Sequence, residues 1–263
     1  MTILITGATG NVGRHVVARL AEGGHAVRTL ARRGADVTGD LLQPETLAGV
    51  FDGVERMMLF PIPYTAREVV GRAVQAGVRH IVVLSSSGVA DGEGLGYDFH
   101  RPVEQAVEES GASWTHVRAG EFMTNRLDFW PDSIRRDSLV RDVGGDQATA
   151  PVHPADVADI IAAALTEDGR TKRIHVVHGP EALTKREQVR IIAEAIGRSV
   201  NYVELARAEA RAIWAAQGMP EEVADYMLTP WEGSPETMSP EIKQILGHGG
   251  RTFAQWAAQE DWS

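Results

Sequence analysis

The 263-residue chain carries a formal net charge of −10, is 43% hydrophobic and 24% charged, and contains no cysteine. The acidic balance argues against a nonspecific grip on nucleic acid or an anionic membrane. The missing thiols exclude disulfides, cysteine nucleophiles and thiolate zinc sites, and fit a reducing cytoplasm. No apolar run approaches the roughly 18 residues that span a bilayer, and the length suits one domain with an appended lobe.

The first predicted element is an apolar strand, Thr2–Thr6, which runs into Gly7-Ala8-Thr9-Gly10-Asn11-Val12-Gly13 and a helix from His15. Strand, glycine-rich turn and helix form the front of a dinucleotide-binding βαβ unit. Gly7 lets the chain leave the strand sharply, Gly10 clears a path for a pyrophosphate, and Gly13 lets the helix pack closely. The helix N-terminus then offers unpaired amides and partial positive charge to phosphates. A second strand, residues 25–31, ends in Arg32-Arg33. NAD-specific sites carry an acidic residue at this place, about 20 residues past the glycines. Two guanidinium forks suit a 2′-phosphate instead, so NADP(H) is expected over NAD(H). The alternative is a pair of solvated surface arginines.

Further along, residues 35–40 read as a short strand ending at Asp40, 43–50 as a short helix, and 54–60 as a strand followed by Pro61. Residues 66–76 form a helix closed by Gly77, and 80–85 a nearly all-apolar central strand ending at Ser85-Ser86-Ser87. Residues 102–110 read as a helix with Pro102 in its first turn, and 113–117 as the sixth strand. This alternation predicts a parallel sheet covered on both faces. The fold class is therefore α/β, a Rossmann-type doubly wound sheet over residues 1–150. Residues 151–263 are expected to form mainly a smaller C-terminal substrate lobe, with some elements returning to the sheet. There, residues 122–136 are loop-rich or helical. Helices are predicted over 156–165, 185–196 (behind a Thr184/Glu187 capping box), 208–217, 221–228 and 252–259, with strands at 173–177 and 201–205. Only three of the 26 basic residues are lysines, which with abundant Ala and Gly suggests a GC-rich bacterial genome.

With these elements in place, the chain resembles the NmrA-like branch of the atypical short-chain dehydrogenases/reductases over nearly its whole length. The resemblance rests on residues 7–13, Val83-Leu84-Ser85-Ser86-Ser87, Val103-Glu104 ahead of Ser110-Gly111, Trp114-Thr115-His116-Val117-Arg118 leading to Phe122-Met123-Thr124-Asn125, residues 153–158, and the closing residues 251–256. Members of that family include NADPH-dependent reductases of quinones and other conjugated carbonyls, and sensors that bind the cofactor without catalysis. The family therefore does not fix the function.

The resemblance implies a cofactor-binding set of Thr6, Gly7, Gly10, Asn11, Val12, Gly13, Arg32, Arg33, Asp40, Phe60, Pro61, Ser85 and His100. Short-chain dehydrogenases typically use a Tyr-x-x-x-Lys pair, which this sequence lacks. Tyr97-x-x-x-Arg101 keeps the spacing, with an arginine that never deprotonates. Counting back from Val103-Glu104 instead puts His100 in the lysine slot and Gly96 in the tyrosine slot. In that frame His100 lies in the first turn of a helix, whose dipole keeps the imidazole neutral. His100, Tyr97 and Ser86 are the catalytic candidates, with water as a further proton source.

Ser87, Glu121, Phe122, Met123, Trp130 and Trp214 are the substrate-binding candidates. They belong to a later population rich in aromatic residues and methionine that includes Phe129, Met219, Tyr226, Met227 and Trp231. Each has a core reading beside it. Glu121 follows Arg118-Ala119-Gly120, where the family usually has Arg-Pro, so a rigid loop is not assured. His153 and Asp156 fit the start of a helix, and no metal site is expected. The leading function is an NADPH-dependent reductase of a small conjugated carbonyl or quinone, with an apolar or aromatic substrate and possible biosynthetic tailoring use. A non-catalytic NADP(H) redox sensor and a non-redox cyclase or isomerase are the alternatives. A homodimer is expected from the superfamily resemblance alone.

Overall fold

The computed structural model of the protein describes residues 1–167, 169–228 and 241–262; Trp231 lies outside them. In chain order its elements are β1 (Thr2–Thr6), α1 (Gly13–Glu22), β2 (Ala26–Ala31), β3 (Val37–Thr38), β4 (Val54–Leu59), α2 (Ala66–Gln75), β5 (His80–Ser86), α3 (Leu95–Glu108) and β6 (Ser113–Ala119). They continue as α4 (Pro131–Asp137), β7 (Leu139–Asp142), β8 (Ala148–Thr149), α5 (Pro154–Thr166), β9 (Arg173–Val177), β10 (Leu183–Thr184), α6 (Lys185–Ile196) and β11 (Asn201–Glu204). α7 (Arg207–Ala216), α8 (Glu221–Leu228), α9 (Glu241–Leu246) and α10 (Phe253–Ala257) complete the described chain.

Two compact units share these elements. The first takes residues 1–119, 154–177 and 241–248, and the second takes the described residues of 120–153, 178–240 and 249–263. The first unit is built on one parallel sheet in the order β3-β2-β1-β4-β5-β6-β9. The middles of its central strands are apolar: Ile3, Leu4, Ile5, Ile81, Val82 and Val83 have no solvent exposure. That is the pattern of strands covered on both faces. Strand order reverses between β1 and β4, which opens the crevice where such sheets take ligands. Thr6 locks this point, its hydroxyl donating to the Met58 carbonyl (3.0 Å) and accepting from the Phe60 amide (2.7 Å).

Three local expectations change. The third strand shrinks from residues 35–40 to Val37–Thr38, because the Asp36 carboxylate takes the Thr29 amide that a longer strand would pair. The short helix at 43–50 is a 3₁₀ turn over Pro44–Leu47. The helix expected to begin at Pro102 begins at Leu95, seven residues earlier, so Pro102 sits inside α3. Leu95, Phe99 and Val103 recur at helical spacing, and burial deepens along them to a fully buried Val103. This apolar face carries the helix through a proline that costs one backbone hydrogen bond.

The second unit has its own core, formed by Met123, Trp130, Ile134, Val189, Ile192, Phe253, Trp256 and Trp262. Trp256 meets Phe253 and Trp262 edge-on, with ring centroids 4.9 and 5.5 Å away. Two small sheets flank it, β7–β11 parallel and β8–β10 antiparallel. The Thr184/Glu187 capping box opens α6 as predicted, and a matching Thr252/Gln255 box opens α10.

Candidate cofactor and active site

The glycine turn is built as its spacing requires. Gly7 has φ of 62°, and a Cβ on Gly13 would stand 2.2 Å from the Gly7 carbonyl oxygen. No side chain fits at Gly13, which is how α1 comes so close to the turn. Among the described residues, nothing accepts from the amides of Asn11, Val12 and Gly13. Three N–H groups without an acceptor at a helix start are the kind of donor set that could hold phosphate oxygens. Val12 contributes only its amide, since its side chain is buried. Phe60, 41% exposed, lays its ring against Gly7, and Pro61 behind it is buried.

Next to the turn lies an open cavity of about 720 Å³ lined by Thr9, Arg32, Arg33, Thr38, Gly39, Asp40, Gln43 and Thr46. Arg32 and Arg33 are exposed, and among the described residues no carboxylate pairs with either. Asp40 shares the cavity while its Oδ1 accepts from the Leu42 amide (2.9 Å). The sequence reading did not single out Thr9, Thr38, Gln43 or Thr46. Thr9 could have been found as the variable residue inside the glycine motif; the others needed the fold of the β3 segment.

Two members of the expected cofactor set are corrected. Thr6 is fully buried and its hydroxyl is used between β1 and β4, so it shapes the crevice without facing it. Ser85 is 3% exposed and its hydroxyl donates to the Glu104 carboxylate (2.7 Å).

At the end of β5, Ser86 caps the following 3₁₀ turn by accepting from the Gly88 amide (3.2 Å), and its hydroxyl still has a proton to donate. The Cα of Gly96 and the Oγ of Ser86 both lie within 3.5 Å of the point where a Cβ on Gly88 would stand. The residue in the tyrosine slot of the His100 frame therefore sits close to the serine hydroxyl. Ser87 is half-buried beside it.

His100 lies one turn into α3, not at its start, and the helix-dipole argument for its neutrality fails. Burial supplies another cause: it pushes the His100 pKa down to about 4, against an opposing pull from Glu104. The Nδ1 atom of this ring is buried with no partner among the described residues. Tyr97 is half-buried one turn earlier. In its frame the Arg101 guanidinium is already committed, forking onto Glu108 with two bonds of 2.9 Å.

Behind α3 runs a buried ionic network. Glu104, with no exposure, accepts from Arg118 Nε (2.9 Å) and Nη2 (2.7 Å) as well as from Ser85. Burial alone would raise its pKa, but the Arg118 hydrogen bond, the neighbouring His116 ring, the Ser85 hydrogen bond and the Arg118 charge together hold the carboxyl below its usual value. His116 Nε2 lies 3.1 Å from Glu108, and its ring stacks on Trp114 at 4.4 Å. Glu104, Glu108 and His116 bring ligand-type atoms within 4.8 Å of one another, but Arg118 and Arg101 already occupy the carboxylates.

Four of the expected substrate residues are corrected by the second unit. Glu121 is paired with Arg126 (2.8 Å) and accepts from Thr149 (2.7 Å). Met123 and Trp130 are core residues at 1% exposure, and the Trp130 indole donates to Asp142 (3.1 Å). Trp214, 7% exposed, packs with Val143, Ala210, Ala224 and Leu228. Phe122 is half-buried.

Comparison with known proteins gives a consistent picture. The model of a family described as NAD(P)H-binding matches residues 7–168. A (4-alkanoyl-5-oxo-2,5-dihydrofuran-3-yl)methyl phosphate reductase of Streptomyces griseus is 37% identical, the match covering 98% of this chain and 97% of that protein. An NAD(P)H azoreductase of Xenophilus azovorans is 30% identical, with 97% and 96% covered. The crystal structure of the NADPH-dependent quinone oxidoreductase QOR2 of Escherichia coli, complexed with NADPH, superposes with a TM-score of 0.83 at 25% identity over 97% of this chain and 98% of that one.

Proposed function

The chain belongs to the NAD(P)H-binding family and is an NAD(P)H-dependent oxidoreductase; from this premise we propose that it is of the NmrA-like atypical short-chain dehydrogenase/reductase branch and uses NADPH to reduce a small, conjugated carbonyl compound. The observation that carries the coenzyme choice is the exposed Arg32-Arg33 pair, with no carboxylate partner among the described residues, on the 720 Å³ cavity beside the glycine turn. A 2′-phosphate there offers the guanidinium forks several anionic acceptor oxygens, where a 2′-hydroxyl offers one neutral oxygen. The amides of Asn11, Val12 and Gly13 would hold the pyrophosphate, and Asp40 would face the adenosine end.

Bound in this way, the coenzyme supplies a hydride. The substrate class follows from what the protein lacks. A simple ketone needs a strong proton donor at its oxygen as hydride arrives. With no Tyr-x-x-x-Lys pair, the chain suits an acceptor that spreads the developing negative charge over a conjugated system, after which water can deliver the proton. The dihydrofuranone named for the Streptomyces griseus reductase is such a conjugated acceptor, and a quinone is another. Ser86 and neutral His100 are the hydrogen-bond donors of the site, one to the substrate oxygen and one to the nicotinamide ribose. Tyr97 is the alternative proton donor. Within the first unit, Ser87 beside Ser86 is the remaining substrate-side candidate, and within the second unit only Phe122 of the expected aromatic set stays half-buried.

Titration of the purified protein with NADPH and NADH, followed by rapid mixing with quinones and unsaturated lactones, tests this reading. The expected result is tighter NADPH binding and coenzyme oxidation that slows on the order of a hundredfold in His100→Ala. Binding without oxidation across the panel would favour a sensor, and turnover without coenzyme a non-redox isomerase.

A further inference from the structure

The β2–β3 connection that carries Arg32 and Arg33 is closed by an unusual clasp. The Asp36 carboxylate accepts from the Thr29 amide (3.0 Å) and from the Thr29 hydroxyl (2.9 Å). In return the Asp36 amide donates to the same Thr29 oxygen (2.8 Å). Three hydrogen bonds thus join residues 29 and 36, one on each side of the arginine pair. Parallel strand pairing of Leu30 with Val37 and of Ala31 with Thr38 continues directly from this closure, and the Gly39 amide bonds to the Ala31 carbonyl (3.1 Å). On the other side, Gly34 with φ of 68° comes within 3.9 Å of the Thr9 methyl, measured from where its Cβ would stand. The arginine loop is therefore held at its base by Asp36 and Thr29 and abuts the glycine turn at its tip.

We propose that the Thr29–Asp36 clasp is a positioning device for coenzyme specificity, holding Arg32 and Arg33 where a 2′-phosphate meets them. This rests on the coenzyme reading given above and extends it to residues that do not touch the ligand. The physical reason is preorganisation. Five residues between short strands, one of them a glycine, sample many conformations if left free, and only a fraction would aim both guanidinium groups into the cavity. Ligand affinity falls in proportion to that fraction, and the loss is confined to the part of the ligand the loop contacts. NADH, which has no 2′-phosphate, is indifferent to it. The two hydrogen bonds to the Asp36 carboxylate favour its charged form and keep its pKa below the ordinary value, so the clasp is intact at neutral pH.

The sign of the mutational effect distinguishes this role from simple electrostatics. Asp36 is an anion near a cationic phosphate site. If it acted only through its charge, removing it would tighten NADPH binding. As a clasp, its removal weakens NADPH binding.

The test is the dissociation constants of both coenzymes, measured by fluorescence or calorimetry on the intact protein, for wild type, Asp36→Ala, Asp36→Asn and Thr29→Val. The expected result is about a five- to tenfold weaker NADPH affinity in Asp36→Ala and Thr29→Val, with NADH affinity unchanged. Asp36→Asn keeps an acceptor oxygen and should restore most of the wild-type preference despite losing the charge. Tighter or unchanged NADPH binding in Asp36→Ala overturns the clasp while leaving the coenzyme reading intact. An equal loss for both coenzymes also overturns it, because it would mark general support of the fold. A wild-type protein that binds NADPH and NADH equally overturns the coenzyme reading first, and the clasp with it.

Discussion

Two pairs of arginines in the first unit are used in opposite ways. Arg101 and Arg118 lie against a buried face, and each is matched by a carboxylate: Glu108 forks onto the first and Glu104 onto the second. Arg32 and Arg33 stand exposed on a cavity with no carboxylate paired to either among the described residues. The side chains are chemically identical. What separates them is whether the fold has already supplied the anion. A guanidinium whose anion is internal braces the fold, Arg101 along α3 itself and Arg118 between β6 and α3, whereas one left without a counterion among the described residues is available to a ligand.

The largest expected effect comes from breaking the internal pairing. Glu104→Ala leaves the Arg118 charge buried without its partner, and should cost about 3–5 kcal/mol of unfolding free energy in a urea titration. A loss below about 1 kcal/mol, the scale of a surface ion pair, would show that the network is not a structural element.

Acid should separate the pairs less severely. The Glu104 and Glu108 pKa values are held below the ordinary 4.5; burial opposes this shift, and hydrogen bonds and charges from Arg118, Arg101, His116 and Ser85 together outweigh it. Their stabilisation is complete above 4.5 and is lost as pH falls through the lower folded values. The histidines act in a higher window. Burial sets both His100 and His80 at about 4 against an ordinary 6.5. Between those values the unfolded chain holds protons the native rings lack, so stability falls on acidification by at most about 1.4 kcal/mol per pH unit for each proton. Urea midpoints measured from pH 7 to pH 4 should fall throughout, with a shallower slope in His100→Asn. An identical slope in that variant would remove His100 from the titrating set.

The smallest effect on stability, and the sharpest on ligand, belongs to the exposed pair. Arg32→Ala with Arg33→Ala should leave unfolding free energy within about 0.5 kcal/mol of wild type, as surface substitutions do. NADPH affinity should fall roughly tenfold to a hundredfold, the equivalent of about 1.5–3 kcal/mol for hydrogen bonds to a charged group. An unchanged NADPH affinity would return both residues to the class of solvated surface arginines.

Much of this arrangement is legible in the order of residues. The strand, glycine turn and first helix follow from local rules of spacing and backbone freedom, and so do the capping box at Thr184 and the apolar run of β5. The start of helix α3 is not legible in this way, because proline is a strong local signal that the apolar face beginning at Leu95 overrides only when packed. Trp130 and Trp214 show the same limit from the other side. An aromatic residue in a late segment reads equally as core or ligand surface until its neighbours are known, and both turned out to be core.

By itself, then, the sequence determined the parallel sheet, the dinucleotide turn and the absence of a Tyr-x-x-x-Lys pair, because each depends on contacts between residues close in the chain or on residue identity alone. Tertiary structure decided which hydroxyls, carboxylates and guanidinium groups remain available. Thr6 and Ser85 were assigned to partners 52 and 19 residues away, and Arg118 to Glu104, 14 residues away. Availability is a property of pairing across the fold, and no local pattern encodes it.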